Sequence, residues 1–245
     1  MRVRRVSLLA GGGVGEAVAR HLAADKTVSI VSFFAGSEPL AKVFKRLFPR
    51  AERVLKPASA AYAASCRRLG VDLILSAHCP VILPAEALDS APLAYNLHPG
   101  LLPHGRGYWP TYWAVAERSP AGATLHRMVP KVDRGPIAAQ ARVPLLPTDD
   151  GETLTRRVQA AEVALFKKHW PALKAGRLKD RRAKGAGSYH EKAEGIAVRK
   201  LDRNKTMKVG ALLDLLRAFT DTRFDGCWVE DGGRRVYLRL ALHER

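Results

Sequence analysis

The sequence predicts an α/β protein: a doubly wound, mostly parallel sheet followed by a small helix-and-hairpin appendage. Three observations carry that expectation. Apolar runs of strand length alternate with amphipathic stretches of helical period through the first part of the chain. A glycine cluster, Gly11-Gly12-Gly13-Val14-Gly15, stands where the first run gives way to the first helical stretch. After Gly176 the composition shifts: between Arg177 and Lys208 eleven Lys or Arg face four Asp or Glu, and Gly185-Ala186-Gly187 reads as a linker. The expected division is a core of residues 1–185 and an appendage of residues 186–245.

Taken in order, Val3–Ala10 is a buried strand, and the glycines turn it into a helix over Glu16–Ala24. A second strand covers Thr27–Phe34. Glu38–Phe48 follows as a helix with Leu40, Val43, Phe44 and Leu47 on one side. Ser59–Leu69 is helical and Val71–Ser76 is the next strand, leading into a loop through His78, Pro80 and Pro84. In such a sheet, ligands gather beyond the carboxyl ends of the strands, which places Gly11–Gly15, Ser76–Pro80 and Asn96–His98 together. The glycines lack the full spacing of a dinucleotide fingerprint. They serve a tight turn with positive φ, or, through Gly12 and Gly13, a ligand phosphate or carboxylate at the helix N-terminus.

Further on, Tyr108–Ala116 is a helix with Pro110 in its first turn. Ala123–Val129 and Ile137–Pro144 are strands flanking a loop at Asp133. Thr153–Gly176 is a long helix with Leu154, Val158, Ala161 and Leu165 at helical spacing, Pro171 bending its end and Trp170 in the core. In the appendage, Leu212, Leu213, Leu215, Leu216 and Phe219 line a short helix. Cys227–Glu230 and Arg235–Leu240 form a hairpin around Asp231-Gly232-Gly233-Arg234. Val236, Leu238 and Leu240 fall on one face of that hairpin and need a covering surface.

Composition bounds the partners. The chain has 245 residues, is 47% hydrophobic, and carries 41 Lys or Arg against 23 Asp or Glu, a formal charge of +18. Such a surface favours phosphate-bearing ligands, though a merely solvated basic surface gives the same count. Cys66, Cys79 and Cys227 lack the paired spacing of a zinc site and suit a reducing, cytoplasmic setting. Arg2, Arg4 and Arg5 before an apolar stretch resemble a signal peptide, but Gly11–Gly13, Glu16 and Arg20 break that pattern. No stretch reaches the length of a membrane span.

The chemistry concentrates in Asn96-Leu-His-Pro-Gly-Leu-Leu-Pro-His-Gly-Arg-Gly-Tyr-Trp-Pro110. Asn96 and His98, two apart on an extended segment, leave it on the same side. An amide donor beside an imidazole can polarise a carbonyl and handle a proton. Pro99 and Gly100 stop the strand. Val132-Asp133-Arg134-Gly135-Pro136-Ile137 then offers a carboxylate. By itself Asn-x-His is also what a turn asparagine beside a core histidine looks like.

The joint pattern is more specific. Asn96-x-His98, Leu101-Leu102-Pro103, Arg106-Gly107, Pro110 and Asp133-x-Gly135-Pro136-Ile137 resemble, in order, the formyltransferase family that uses 10-formyltetrahydrofolate. That resemblance implies a Rossmann-like formyltransferase core with Asn96, His98 and Asp133 as catalytic triad, and no metal. Asn96 would donate to the developing oxyanion, and His98 would stabilise it or relay the proton. Asp133 would orient His98 and accept the amine proton, directly or through water. The resemblance places the folate's pterin between the 76–84 loop (Ser76, His78, Cys79, Val81, Ile82, Leu83) and the 126–133 segment (His126, Val129, Lys131). The central loop, Ser188-Tyr189-His190-Glu191-Lys192 and the hairpin resemble nucleotide-linked sugar N-formyltransferases. This implies a nucleotide-linked amino sugar as acceptor, met by Gly12, Gly13, Arg106, Tyr108 and Trp109, and a homodimer. Another amine remains open as acceptor: methionyl-tRNA, glycinamide ribonucleotide or a natural-product precursor. From a different class, a basic nucleic-acid-binding module would make the Asn96/His98/Asp133 pattern coincidental.

Overall fold

The computed structural model describes residues 2–243; Met1, and Glu244 and Arg245 at the end of the expected appendage, lie outside the described residues. The chain runs β1 (Arg5–Ala10), α1 (Gly12–Ala24), β2 (Ser29–Ala35), α2 (Glu38–Leu47), β3 (Glu52–Arg53), α3 (Ala60–Arg68), β4 (Leu73–Ala77), α4 (Ala85–Leu88) and β5 (Leu93–His98). It continues with β6 (Arg106–Gly107), α5 (Pro110–Ala116), β7 (Ala121–Arg127), β8 (Ile137–Val143) and α6 (Gly151–Lys174). The tail holds β9 (Tyr189–His190), α7 (Lys192–Ala197), α8 (Val209–Ala218), β10 (Cys227–Asp231) and β11 (Arg234–Leu238). Seven strands form one sheet in the order β3-β2-β1-β4-β5-β7-β8. The run from β3 to β5 is parallel, and β7 pairs antiparallel with β5.

Two compact units emerge. One holds residues up to His98 with 124–140 and 162–183; the other holds 99–123, 141–161 and the chain from Lys184 onward. In the first unit, alternation along the strands sorts side chains to two faces. Leu8 pairs with Phe33, whose ring meets Phe44 of α2 edge-on at 5.6 Å. On the opposite face Leu9, Phe34 and Ile74 pack with Tyr62 and Cys66 of α3 and Ala87 and Leu88 of α4. Helices therefore cover both faces, as the strand–helix alternation predicts. The C-terminal half of α6 docks on the end of α1: Trp170, buried as expected, and Lys174 donate to Asp25 Oδ2 at 2.9 and 2.6 Å.

The second unit has its own core, in which α5 and α8 pack together through Tyr112, Val115, Leu215, Leu216 and Phe219. The hairpin closes through Gly232 and Gly233 at φ of 54 and 72°, the left-handed backbone a two-residue turn requires. Its apolar face is divided. Leu238 and Leu240 pack against this unit's own core, whereas Val236 stays 44% exposed.

Candidate active site

Register assembles the site in the first unit. Ser76 of β4 pairs with Asn96 of β5, and Asn96 with His126 of β7, so the three stand in one row across adjacent strands. His98, two residues along, pairs with Thr124 and presents its side chain to the same face. His126 Nδ1 lies 2.8 Å from the Arg127 carbonyl, which can only accept, so Nδ1 carries the proton. In the neutral ring, Nε2 then accepts from Asn96 Nδ2 at 3.3 Å, which fixes the asparagine with its amide nitrogen toward the histidine. One of the two amide hydrogens is used there.

Asp133 completes the group. It stands at φ 52°, in the left-handed region, within a turn that returns to β7 through Arg127 N–H and the Pro136 carbonyl. Gly135 is needed two residues later because any Cβ would overlap the Arg127 carbonyl. So held, the carboxylate places Oδ2 3.7 Å from His98 Nδ1 and Oδ1 3.5 Å from His126 Nε2. The two imidazoles meet edge-on at 6.0 Å. His98 and His126 are 5% and 2% exposed, so both rings face the carboxylate out of contact with bulk solvent. An amide donor, two buried imidazoles and one shared carboxylate can orient a carbonyl oxygen and pass on a proton. The row gathers Asn96, His98 and Asp133, as expected. It also draws in His126, expected on the folate instead. Only the register of β5 against β7 reveals that partnership.

The 76–84 loop is anchored rather than slack. His78 has φ 59°, and its Nε2 lies 2.7 Å from Glu162 Oε2. Gly11 faces it so closely that a Cβ there would overlap the His78 carbonyl. Cys79 is partly buried, its thiol pushed up to about 11 by burial, so it stays a neutral thiol. The Leu83 side chain packs in the α3–α4 core, which leaves its backbone for any ligand contact. Ile82, by contrast, is 67% exposed and Val81 half-buried. An anchored loop displaying apolar side chains and backbone beside a polar row fits a flat heteroaromatic ligand. Across the row, Val129 is half-buried and Lys131 exposed. At the start of α1, Gly12 and Gly13 are exposed where first-turn N–H groups lack intrahelical partners, and Gly12 needs its φ of 58°.

In the second unit Tyr108 is exposed, with Lys192 Nζ 5.6 Å from its ring centre. Trp109 caps α5 in the left-handed region and stacks on Phe224 at 5.8 Å, under the Arg199 guanidinium. Its ring is largely spoken for by packing. The Arg106 guanidinium is buried and donates to the Ser188 and Ala186 carbonyls at 3.1 and 2.7 Å, tying the tail segment. Among the described residues, no group of three or more His, Cys, Asp or Glu could hold a metal ion, and no helix is long and apolar enough to cross a membrane.

Residues 27–169 match the formyl transferase family. The chain belongs to that family. Residues 196–244 match the N-formyltransferase dimerization C-terminal domain. The dTDP-4-amino-4,6-dideoxyglucose formyltransferase of Mycobacterium bovis is 31% identical over 172 residues, 70% of this chain and 73% of its own. A sugar N-formyltransferase from Shewanella shares the fold over 99% of both chains, with TM-score 0.86 at 24% identity. Glycinamide ribonucleotide transformylase 1 from Symbiobacterium toebii, at 26% identity and TM-score 0.63, covers 74% of this formyltransferase and 93% of its own chain.

Proposed function

We propose that this formyltransferase moves a formyl group from 10-formyltetrahydrofolate to the amine of a nucleotide-linked amino sugar. The observation that carries the reading is the single row in which Asn96, His126, His98 and Asp133 gather. The folate supplies an activated formyl carbon; the protein's residues do the rest. Asn96 has a second amide hydrogen to donate to the formyl oxygen as it gains charge. His98 takes up part of that charge or relays the amine proton, and Asp133 receives it or steadies the resulting imidazolium. The 76–84 loop and the 126–133 segment hold the pterin, largely through backbone. Gly12 and Gly13 at the α1 N-terminus meet the anionic acceptor.

Two features favour a sugar over a ribonucleotide acceptor. The relative that is 31% identical is named for a dTDP-linked amino sugar, and likeness to the ribonucleotide enzyme covers 74% of the chain where the sugar enzyme's fold covers 99%. The tail match and the exposed Val236 and Tyr237 support a homodimer formed through the hairpin. Three free cysteines, two of them buried, suit the cytoplasm. The test is incubation with 10-formyltetrahydrofolate and dTDP-4-amino-4,6-dideoxyglucose, with glycinamide ribonucleotide and methionyl-tRNA in parallel. The expected result is a mass gain of one formyl group on the sugar alone. Formylation of another amine instead would move the acceptor, and formylation of none would overturn the reading.

A further inference from the structure

The geometry points to Glu162 as a positioning residue for the formyl donor, acting through His78. This rests on the reading that the 76–84 loop holds the folate. Glu162 lies in α6 among core residues such as Leu165 and Phe166, and its side chain is wholly buried. A carboxylate there is costly to keep. Oε2 meets His78 Nε2 at 2.7 Å, and Oε1 has no hydrogen-bond partner among the described residues. An apolar side chain would pack at such a position without that cost, so the pairing with His78 gives the carboxylate its purpose.

His78 needs such a hold. At φ 59° it occupies a conformation that non-glycine residues visit rarely, two residues after Ser76, the register partner of Asn96. Its carbonyl rests against Gly11, so a change of φ at His78 cannot be absorbed on that side. The loop is thus pinned at both ends, by Glu162 through His78 and by Leu83 in the α3–α4 core, and between the pins it displays Val81 and Ile82. Release of the first pin lets His78 return to negative φ. The backbone of Cys79–Ile82 then turns away from the row that holds Asn96.

The experiment uses the full chain with three variants: Glu162→Gln, His78→Ala and His78→Asn. Binding of 5-formyltetrahydrofolate, a stable analogue of the donor, is measured by calorimetry, beside KM for each substrate and the unfolding midpoint. Glu162→Gln and His78→Ala are expected to raise the folate Kd about tenfold while KM for the amino sugar stays within about twofold. His78→Asn, which tolerates positive φ, should lie nearer wild type than His78→Ala. If Glu162→Gln does not fold, the two His78 variants decide the matter alone. Wild-type folate affinity in the folded variants overturns the inference, as does a rise in folate Kd that comes with a matching rise in acceptor KM and a fall in the unfolding midpoint. Failure of the wild-type protein to bind folate overturns the donor reading and this inference with it.

Discussion

The two units each bury a carboxylate network, and the partners differ in kind. In the first, Asp133 faces the imidazoles of His98 and His126. In the second, Arg217 donates to Asp214 Oδ1 at 3.1 Å and to the Asp149 carbonyl at 2.8 Å, while Arg118 holds Asp214 Oδ2 at 2.6 Å. Nearby, Tyr112 donates to Asp221 Oδ2 at 2.6 Å, and Arg223 holds that carboxylate below its usual range against the upward push of burial. Guanidinium groups do not exchange protons near neutrality; imidazoles do. The first network is buried on both sides, whereas Arg118 and Arg223 in the second keep half or more of their side chains exposed. They also differ in whether a proton can move: the imidazoles suit the first to the proposed chemistry, and the guanidinium groups of the second hold α5, α8 and the tail together.

The contrast breaks most sharply on loss of the amide or the imidazole. Asn96→Ala and His98→Ala should each lower turnover about 10²- to 10³-fold while the circular dichroism spectrum and unfolding midpoint stay near wild type. A folded variant with ordinary turnover removes that residue from the mechanism. The next effect is on pH. The acceptor must shed a proton, so turnover should rise about tenfold per pH unit until amine and base are both deprotonated. A flat profile, with chemistry shown to limit the rate, contradicts proton transfer within the row.

The row was only half legible in the sequence. Asn96 and His98 declare themselves by their two-residue spacing. His126 does not, because its place beside Asn96 depends on an antiparallel register set thirty residues away. The repeated strands and helices were readable from periodicity, and the hairpin from its paired glycines. The two-residue strands β3, β6 and β9 were not, since two residues carry no period. Arg106 illustrates a second limit. Nothing in a loop arginine's sequence shows that the carbonyls of residues 186 and 188 come onto it. The carboxylate–guanidinium network of the second unit hides for the same reason: Arg118 and Asp214 lie 96 residues apart.

Smaller effects sharpen the comparison from the structural side. Val236→Asp, on the exposed face of the hairpin, should convert a dimer to a monomer in light scattering with turnover of the folded chain reduced severalfold at most; a wild-type monomer at micromolar concentration would refute the dimer. The smallest change is expected at Asp25, whose carboxyl burial alone would push up. Hydrogen bonds from Lys174, Thr27 and Trp170 outweigh that and hold it well below the usual range. Its contribution to stability is therefore present above the ordinary carboxylate value of about 4 and fades as pH falls below it. Asp25→Asn should lower the urea midpoint at pH 7, and its difference from wild type should shrink in acid. An undiminished difference in acid would contradict that assignment.

The most direct test sets one carboxylate network against the other. Asp133→Ala and Arg217→Ala are compared for unfolding midpoint and for formyl transfer per folded molecule, at a temperature where both are folded. The account predicts that Asp133→Ala loses turnover about 100-fold or more with little change in stability. Arg217→Ala should lose about 2–3 kcal/mol of stability, a fall of roughly 5–10 °C in Tm, and keep its turnover within a few-fold. The reverse pattern, a stable but inactive Arg217→Ala beside an unstable but active Asp133→Ala, would contradict it.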